Sequence, residues 1–290
     1  MMTTHAETFE HHRPRLFSIA YRMLGSVMEA EDVVQESYLR FIATPTEVIE
    51  SPEAFLTTVT TRLCLDQLKS ARVQREQYVG PWLPEPLLTT ESPAEVVDKH
   101  EMISMAFLVL LESLAPVERA VFLLREVFDY DYGEIAQIVD KSEANCRQLY
   151  HRAKQYLTER RPRFTPSRER QQQLLTRFIQ AVGAGDLDEL TNLLADEITV
   201  WSDGGGKARA ATRPVAGRER ASKLLIGLNR FRTAQTRVEF AEVNGALAVL
   251  LLEGQQLIGV MNVVSDGERI YEIRNILNPD KLQHLAKRIR

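Results

Sequence analysis

The sequence predicts a multidomain protein in which two all-α domains precede a C-terminal α+β domain. Between residues 5 and 162, apolar residues recur at the i, i+3, i+4 spacing of amphipathic helices. After residue 168, two helical segments are followed by short apolar runs. Tight turns separate those runs at Asn244-Gly245, Glu253-Gly254 and Asp266-Gly267. For residues 168–290 we therefore expect helices against a curved antiparallel sheet with a cavity.

The helical region divides into two blocks joined by a linker. Residues 1–75 predict three helices, because Gly25-Ser26 and the proline-containing loop 43–52 interrupt the apolar stripes. Residues 76–97 contain four prolines, so they predict an extended linker. Residues 98–163 predict a second helical block, which leads into a second proline-containing segment.

The C-terminal domain, residues 168–290, shows the change from helical to strand periodicity. Its first helix ends at Gly183-Ala184-Gly185, a short second helix follows, and another helix covers residues 217–231. The apolar runs between the turns predict strands at residues 198–201, 238–243, 246–252, 257–264 and 270–277.

The composition is that of a soluble globular protein from a reducing compartment. The chain is 44% hydrophobic and 26% charged with a net charge of −4, so any affinity for nucleic acid must come from local patches. Cys64 and Cys146 are far apart, and no Cys/His cluster accompanies them, so we expect no metal site and no cofactor. The polar N-terminus is unlike a signal peptide, and no apolar run is long enough to span a bilayer. We expect a cytoplasmic protein without a membrane partner.

Residues 130–154 have the pattern of a helix-turn-helix. The first helix has an apolar face, Asp140 and Lys141 make the turn, and Ser142 is the expected N-cap of the second helix. In that second helix, Ala144 or Cys146 packs inward together with Leu149, Tyr150 and Ala153. The residues expected to face outward are Arg147, Gln148, His151, Arg152 and Lys154.

An ordinary helical hairpin with a solvated charged face would show much of the same pattern. Local charge favours DNA binding, because residues 141–163 contain seven cationic side chains and only two acidic ones. Neutralising DNA phosphates needs such an imbalance, whereas fold stability does not. A basic helix of this kind can enter a major groove.

Three segments together resemble the extracytoplasmic-function (ECF) sigma factors of bacterial RNA polymerase. Residues 30–41 (AEDVVQESYLRF) resemble the polymerase-binding helix of sigma domain 2. Residues 54–69 (AFLTTVTTRLCLDQLK) resemble the helix that melts and reads the minus-ten element. Residues 130–154 resemble the domain 4 motif that reads the minus-thirty-five element. The resemblance implies sigma domain 2 at 1–75, a linker at 76–97 and sigma domain 4 at 98–163.

Further motifs resemble the ECF sub-group that carries a fused SnoaL-like domain of the cystatin-type α+β fold, here residues 168–290. The linker motif is Trp82, Leu83, Pro84, Glu85 and Pro86, and the glycine-rich loop is Asp203, Gly204, Gly205, Gly206 and Lys207. The C-terminal motif is Asn278, Pro279, Asp280, Lys281 and Leu282. We expect these residues to make regulatory contacts that replace a separate anti-sigma factor, with the fused domain packed on sigma domain 2 and the linker.

The resemblance also implies roles for individual side chains. Asp32, Gln35 and Glu36 would face the clamp helices of core RNA polymerase. Promoter DNA would contact Arg62, Gln67, Lys69, Arg72 and Arg75 at the melting strand, and Arg147, Gln148, His151, Arg152 and Lys154 at the upstream element. The sequence departs from the family where Asp140 replaces the usual Gly, Lys141 an apolar residue, and Arg62 a common Asn.

The C-terminal domain also allows other functions. SnoaL-like folds include enzymes that use Asp or His in the cavity, but the ionisable candidates are few: Glu239, Glu242, Glu272, Arg274 and His284. We therefore expect no enzymatic activity, while a small ligand in the cavity stays an alternative. A helix-turn-helix regulator without polymerase contacts is the other alternative. The basic C-terminus, residues 281–290, could contact DNA, domain 2 or only solvent.

Overall fold

The computed structural model describes residues 5–89, 103–160 and 166–288, and for residues 71–76 it describes the backbone alone. The chain forms two compact units. The described residues up to Gln77, together with 103–160, build the first unit. Residues 78–89 and 166–288 build the second.

The described part of the first unit is helical. Its helices are α1 (His5–Leu24), α2 (Val27–Ala43), α3 (Pro52–Glu76), α4 (Met105–Glu112), α5 (Pro116–Glu126), α6 (Tyr132–Val139) and α7 (Glu143–Arg160). A 3₁₀ turn, Thr46–Val48, lies between α2 and α3. Ser26 caps α2 by accepting a hydrogen bond from the Glu29 amide, which satisfies a donor that the helix itself leaves unpaired.

The two helical blocks pack together within this unit. Arg119 of α5 is 3% exposed, pairs with Glu112 and donates to the carbonyl of Met23 at the end of α1. The hydroxyl groups of Thr57 in α3 and of Tyr130 are hydrogen-bonded at 2.8 Å. Sigma domain 2 at 1–75 and sigma domain 4 at 98–163 were expected as successive domains. In the structure their described residues belong to one compact unit, and buried polar side chains of one block bond to the other.

The helix-turn-helix forms at the expected place. Asp131 and Glu134 make a reciprocal capping box at the start of α6. The helix ends at Asp140, whose φ of 54° and ψ of 58° are left-handed. Asp tolerates this conformation better than most residues, so the turn does not need the family's usual glycine. Ser142 accepts a hydrogen bond from the Asn145 amide at the start of α7.

The second unit is an α+β domain. Its helices are α8 (Arg168–Ala184), α9 (Leu187–Leu193), α10 (Arg218–Leu228) and α11 (Pro279–Arg288). Its strands are β1 (Leu194–Asp203), β2 (Val215–Ala216), β3 (Thr236–Val243), β4 (Ala246–Glu253), β5 (Gln256–Ser265) and β6 (Ile270–Ile276). They form one sheet in the order β2-β1-β6-β5-β4-β3.

The sheet is mixed, whereas the sequence analysis expected an antiparallel one. Strand β6 pairs antiparallel with β5 but parallel with β1. Parallel neighbours need a long connection, and here α10 and strands β3 to β5 supply it. The short β2, which the sequence analysis missed, pairs antiparallel with the other edge of β1.

The two faces of this sheet have different coverings. Val200 and Ile273 are register partners on the face that packs against α8, α9 and α10. Side chains alternate along a strand, so Asp203, paired with Ile276, lies on the opposite face. That opposite face is where the linker residues are held, as described below.

Candidate nucleic-acid interface and linker anchor

Helix α7 presents the side chains expected to read DNA. Cys146, Tyr150 and Ala153 are buried, whereas Ala144 is exposed, so of the two alternatives Cys146 is the inward residue. Burial also raises the pKa of the Cys146 thiol, as expected for a cysteine packed as a small apolar side chain. The five outward residues of the sequence analysis are all exposed: Arg147, Gln148, His151, Arg152 and Lys154.

The cations of α7 differ in how firmly they are held. Arg147 pairs with Glu143 one turn away at 2.7 Å, and both side chains are half exposed. Arg152 pairs with Glu118, whose side chain is only 17% exposed. Lys154 bonds to Tyr150 and Glu126, and these two partners raise its pKa. An exposed i,i+4 pair is worth only about 0.3–0.5 kcal/mol. The guanidinium carbon of Arg147 also lies 5.1 Å from the centre of the Tyr132 ring, so two weak contacts hold this side chain.

Arg62 of α3 contacts the helix-turn-helix in this structure. Its guanidinium donates to the carbonyl of Gln137 at 2.8 Å and to that of Ile138 at 3.0 Å. These carbonyls lie in the last turn of α6, where the helix dipole is negative and a cation is favourable. Arg62 therefore occupies a C-terminal capping position on α6.

The other residues expected at the melting strand all lie on α3. Lys69 is exposed and pairs with Asp66 at 2.8 Å, whereas Gln67 is half-buried. Arg72 and Arg75 continue the helix, but their side chains lie outside the described part of the chain. These residues thus lie on one helix, as predicted, and their contact with DNA stays a prediction.

Helix α2 carries a mixed polar and apolar surface. Asp32 and Gln35 are exposed, and Glu36 bonds to Arg40 at 2.9 Å. Gln35 also lines a groove of about 330 Å³ between α1 and α2, together with Phe9, Glu31 and Tyr38. Three apolar side chains on the same helix are also exposed: Met28, Leu39 and Ile42, at 52%, 49% and 46%.

The linker motif is anchored on the second unit by a buried ion pair. The carboxylate of Asp203 is fully buried and lies 2.7 Å from the ammonium of Lys281. The same carboxylate accepts hydrogen bonds from the Tyr78 hydroxyl and, at 2.8 Å, from the Leu83 amide. Lys281 also donates to the Leu83 carbonyl and lies 4.1 Å from the centre of the Trp82 ring. One charge pair thus holds side chains and backbone of the linker.

Gly205 allows the loop to approach this closely. A Cβ atom on Gly205, whose φ is +56°, would lie 2.3 Å from Asn278 Nδ2 and 2.8 Å from the Tyr78 hydroxyl oxygen. Asn278 in turn donates to that hydroxyl at 2.8 Å. Burial raises the pKa of Tyr78 above its usual range, and the hydrogen bond to Asp203 raises it further. Tyr78 therefore stays a neutral donor.

The end of the linker adds to the edge of the sheet. Leu88 forms an antiparallel bridge with Val243 of β3, and the Asn244 amide donates to the Leu87 carbonyl at 2.8 Å. The amide of Thr89 donates to the carbonyl of Glu242. Pairing of this kind covers an edge that is otherwise open to other chains. The buried residues of the linker motif include Leu83, Pro84, Glu85 and Pro86.

The C-terminal motif lies in and before α11. Pro279 begins the helix, Asp280 pairs with Lys207 at 2.5 Å, and Leu282 is buried. Lys281 was expected to make a regulatory contact and to begin a basic C-terminal segment that could contact DNA, domain 2 or only solvent. Lys281 is 6% exposed, so it does not lie on a solvated face, because the fully buried carboxylate of Asp203 needs a charged partner beside it.

Four of the five ionisable residues considered for catalysis form ion pairs. Glu239 pairs with Arg237 and Glu242 with Arg168. Glu272 pairs with the buried Arg274. His284 is half-buried on α11, and burial there lowers its pKa. The described residues contain no group of three side chains suited to a metal ion, and no described helix is long and apolar enough to cross a membrane.

Comparisons with known proteins show which family the chain resembles along most of its length. A family model described as Sigma-70 region 2 matches residues 8–73, and one described as Sigma-70, region 4 matches residues 104–157. The chain is 36% identical to the ECF RNA polymerase sigma factor SigJ of Mycobacterium tuberculosis (strain ATCC 25618 / H37Rv), over 94% of this chain and 91% of that protein. It is 32% identical to the probable ECF RNA polymerase sigma factor SigI of strain CDC 1551 / Oshkosh, over 94% and 93%.

A solved structure agrees with the whole fold. The crystal structure of the Mycobacterium tuberculosis ECF sigma factor SigJ matches with a TM-score of 0.75 and 34% identity. The match covers 96% of this chain and 98% of that one, so it includes the C-terminal α+β unit. The fold class expected from the sequence is confirmed.

Proposed function

Because the chain belongs to the ECF RNA polymerase sigma factors, we propose that its α2 surface binds the clamp helices of core polymerase and that its C-terminal unit regulates initiation through the linker. As a sigma factor it directs promoter-specific transcription initiation with core polymerase and promoter DNA as partners. The observation that carries the regulatory part is the Asp203–Lys281 ion pair, which holds Trp82 and Leu83. Because a sigma factor acts together with core polymerase, we also assign the chain to the cytoplasm.

The α2 surface has the chemistry of a protein-docking site. Asp32 and Gln35 supply polar groups, while Leu39 and Ile42 supply exposed apolar area on the same helix. Buried apolar anchors within a polar rim carry most of the energy of protein interfaces. This pattern supports docking of the polymerase clamp helices here.

Replacing Leu39 by Asp should weaken binding to core polymerase by about tenfold or more, because an interface anchor contributes about 1.4 kcal/mol or more. The measurement is competition between unlabelled variant and labelled wild type for core polymerase. Leu187→Asp is the matched control, since Leu187 is 46% exposed and lies at the start of α9 in the other unit. Equal affinities for the wild type and Leu39→Asp would contradict the assignment.

Arg62 has two proposed uses. It caps α6 in this structure, and it would contact the melting promoter strand when the factor acts on DNA. These two bonds use the Nε and Nη2 groups of Arg62, and the remaining N–H donors of the guanidinium are free of these two partners. Promoter contact through the Nε–Nη2 edge would require the bonds to Gln137 and Ile138 to break, and in that case the packing of the two helical blocks opposes DNA binding.

Arg62→Ala should change two separate measurements. Without DNA, amide exchange in α6 should become faster, since the cap stabilises its last turn by roughly 1 kcal/mol at this exposed position. With core polymerase and promoter, chemical reactivity of melted bases should fall. For the exchange measurement Lys69→Ala is the control, because its pair with Asp66 lies within one helix and does not involve α6. Unchanged exchange in α6 would show that the cap contributes nothing in solution.

Regulation through the linker has a simple geometric basis. A chain of n residues spans at most about 3.5 Å per residue. If residues 77–104 are free, the helical blocks can separate by up to about 100 Å. With residues 78–89 held on the C-terminal unit, the remaining tether reaches about 50 Å. Linker docking therefore limits the separation of the two DNA readers.

Run-off transcription with purified core polymerase tests the proposed function. The templates are promoters upstream of the gene's own operon, and the proteins are the full chain, a truncation after Arg163 and a truncation before Asn278. Promoter-specific transcripts that need the protein are expected with the full chain. Different activities among the three would support regulation by the C-terminal unit. Identical activities would remove the regulatory proposal and leave sigma activity intact.

A further inference from the structure

The C-terminal unit contains a strongly basic segment, and promoter recognition by the sigma regions does not account for its charge. Residues 207–232 include eight cationic side chains and one acidic residue, Glu219, although the whole chain carries a net charge of −4. This segment lies outside both sigma-family matches. It forms β2, α10 and the loops that flank them.

The cations of this segment fall into two groups. Lys207, Arg218 and Lys223 pair with Asp280, Asp196 and Glu219 respectively. The other five are exposed, and among the described residues no carboxylate forms an ion pair with them: Arg209, Arg213, Arg220, Arg230 and Arg232. Most exposed arginines described in the helical unit, such as Arg147 and Arg152, do have carboxylate partners.

Two of these arginines converge on one exposed aromatic ring. The guanidinium carbons of Arg209 and Arg230 lie 4.7 Å and 4.8 Å from the centre of the Phe231 ring, which is 45% exposed. Arg209 comes from the loop after β1, so chain proximity does not explain its position. Arg232 lies beside α8, with its Nη1 atom 3.4 Å from the position a Cβ on Gly183 would take.

We propose that Arg209, Arg230, Arg232 and Phe231 form a DNA-backbone site on the C-terminal unit. The ring holds planar guanidinium groups with their N–H donors available, and guanidinium binds phosphate in a bidentate manner. Like charges placed together without carboxylates repel each other, and a polyanion relieves that repulsion. Duplex DNA is the partner because the sigma regions already bind it, so its phosphates are at high effective concentration.

The site is sequence-independent and adds affinity to promoter recognition. Arginine contacts to phosphate oxygens position a protein on the duplex without reading bases. Binding of this kind releases counterions, so it must weaken steeply with salt. The inference does not rest on the regulatory role of the linker, and it can fail while sigma activity stands.

The test uses the full chain and a labelled duplex that lacks the promoter, with anisotropy measured over a range of salt concentrations. The variant R209Q/R230Q/R232Q should bind about tenfold more weakly near 0.1 M salt, and the slope of log affinity against log salt should flatten by about 2–3. F231L keeps every charge and should show a smaller loss. Both effects should persist in an Arg147→Ala background, which separates them from the helix-turn-helix.

The control variant R177Q/K223Q/R237Q removes three cations from the same unit, each paired with a carboxylate. It should leave the slope nearly unchanged. Equal slopes for all proteins, or equal losses in the patch and control variants, would overturn the proposal. The proposal would also be overturned if R209Q/R230Q/R232Q bound DNA normally but bound core polymerase more weakly. The partner of the patch would then be an acidic protein.

Discussion

Replacing Lys281 by Met should destabilise the second unit by about 3–5 kcal/mol, the usual cost of removing one partner of a buried ion pair. Lys281 and Asp203 have side chains only 7% and 0% exposed. Met keeps most of the side-chain length but leaves the Asp203 carboxylate without its ammonium partner. The loss should appear in urea unfolding, followed through Trp82 and Trp201 fluorescence.

The same variant should release the linker. Lys281 holds the Leu83 carbonyl and contacts the Trp82 ring, so both contacts disappear together. We expect protease cleavage within residues 78–89 to become much faster, and run-off transcription to move toward that of the truncation before Asn278. If Lys281→Met lost much stability while protease cleavage within residues 78–89 stayed unchanged, the ion pair would have a structural role without holding the linker for regulation.

Two further variants identify the cause of the effect. Lys207→Met removes an exposed pair with Asp280, and such pairs contribute about 0–1 kcal/mol. The double variant D203N/K281M removes both charges, so no isolated buried charge remains. Its loss of stability should be smaller than the sum of the single losses. Additive losses would show that the two groups act independently.

The elements predicted well from sequence are those that local residues determine. Apolar spacing and capping residues located α6 and α7, and the left-handed Asp140 followed from the tolerance of Asp for that conformation. The linker, loop and C-terminal motifs were expected to make regulatory contacts. The structure brings Trp82, Asp203 and Lys281 together, and the regulatory role of these contacts stays a prediction.

The features missed from sequence depend on partners that no local pattern specifies. Arg62 donates to two main-chain carbonyls more than 70 residues away, and every residue type has such carbonyls. The parallel pairing of β1 with β6 arises from a long connection, which the individual strand patterns do not encode. The convergence of Arg209 and Arg230 on Phe231 joins separate loops. Only the excess of positive charge could have indicated that patch.

The outward face of α7 should give the largest effect on promoter recognition. Arg147, Gln148 and His151 are the residues expected to contact base edges or nearby phosphates, and all three are exposed. Arg147 and Gln148 lie nearest the N-terminal end of α7, the part of a recognition helix that meets base edges. Arg147→Ala combined with Gln148→Ala should weaken binding to the minus-thirty-five duplex by about 2–6 kcal/mol, since each good base contact contributes about 1–3 kcal/mol. Discrimination against a mutated element should fall with it.

Arg152→Ala and Lys154→Ala provide the contrast. These cations already hold Glu118 and Glu126, so DNA phosphates must compete with intramolecular carboxylates for them. Their loss should weaken binding to cognate and mutated duplexes equally and flatten the salt dependence by about 1 each. The two pairs of variants thus separate base readout from phosphate contact on one helix. If Arg147→Ala and Gln148→Ala also lowered both affinities equally, the helix would bind only the DNA backbone, and base recognition would lie on another part of the chain.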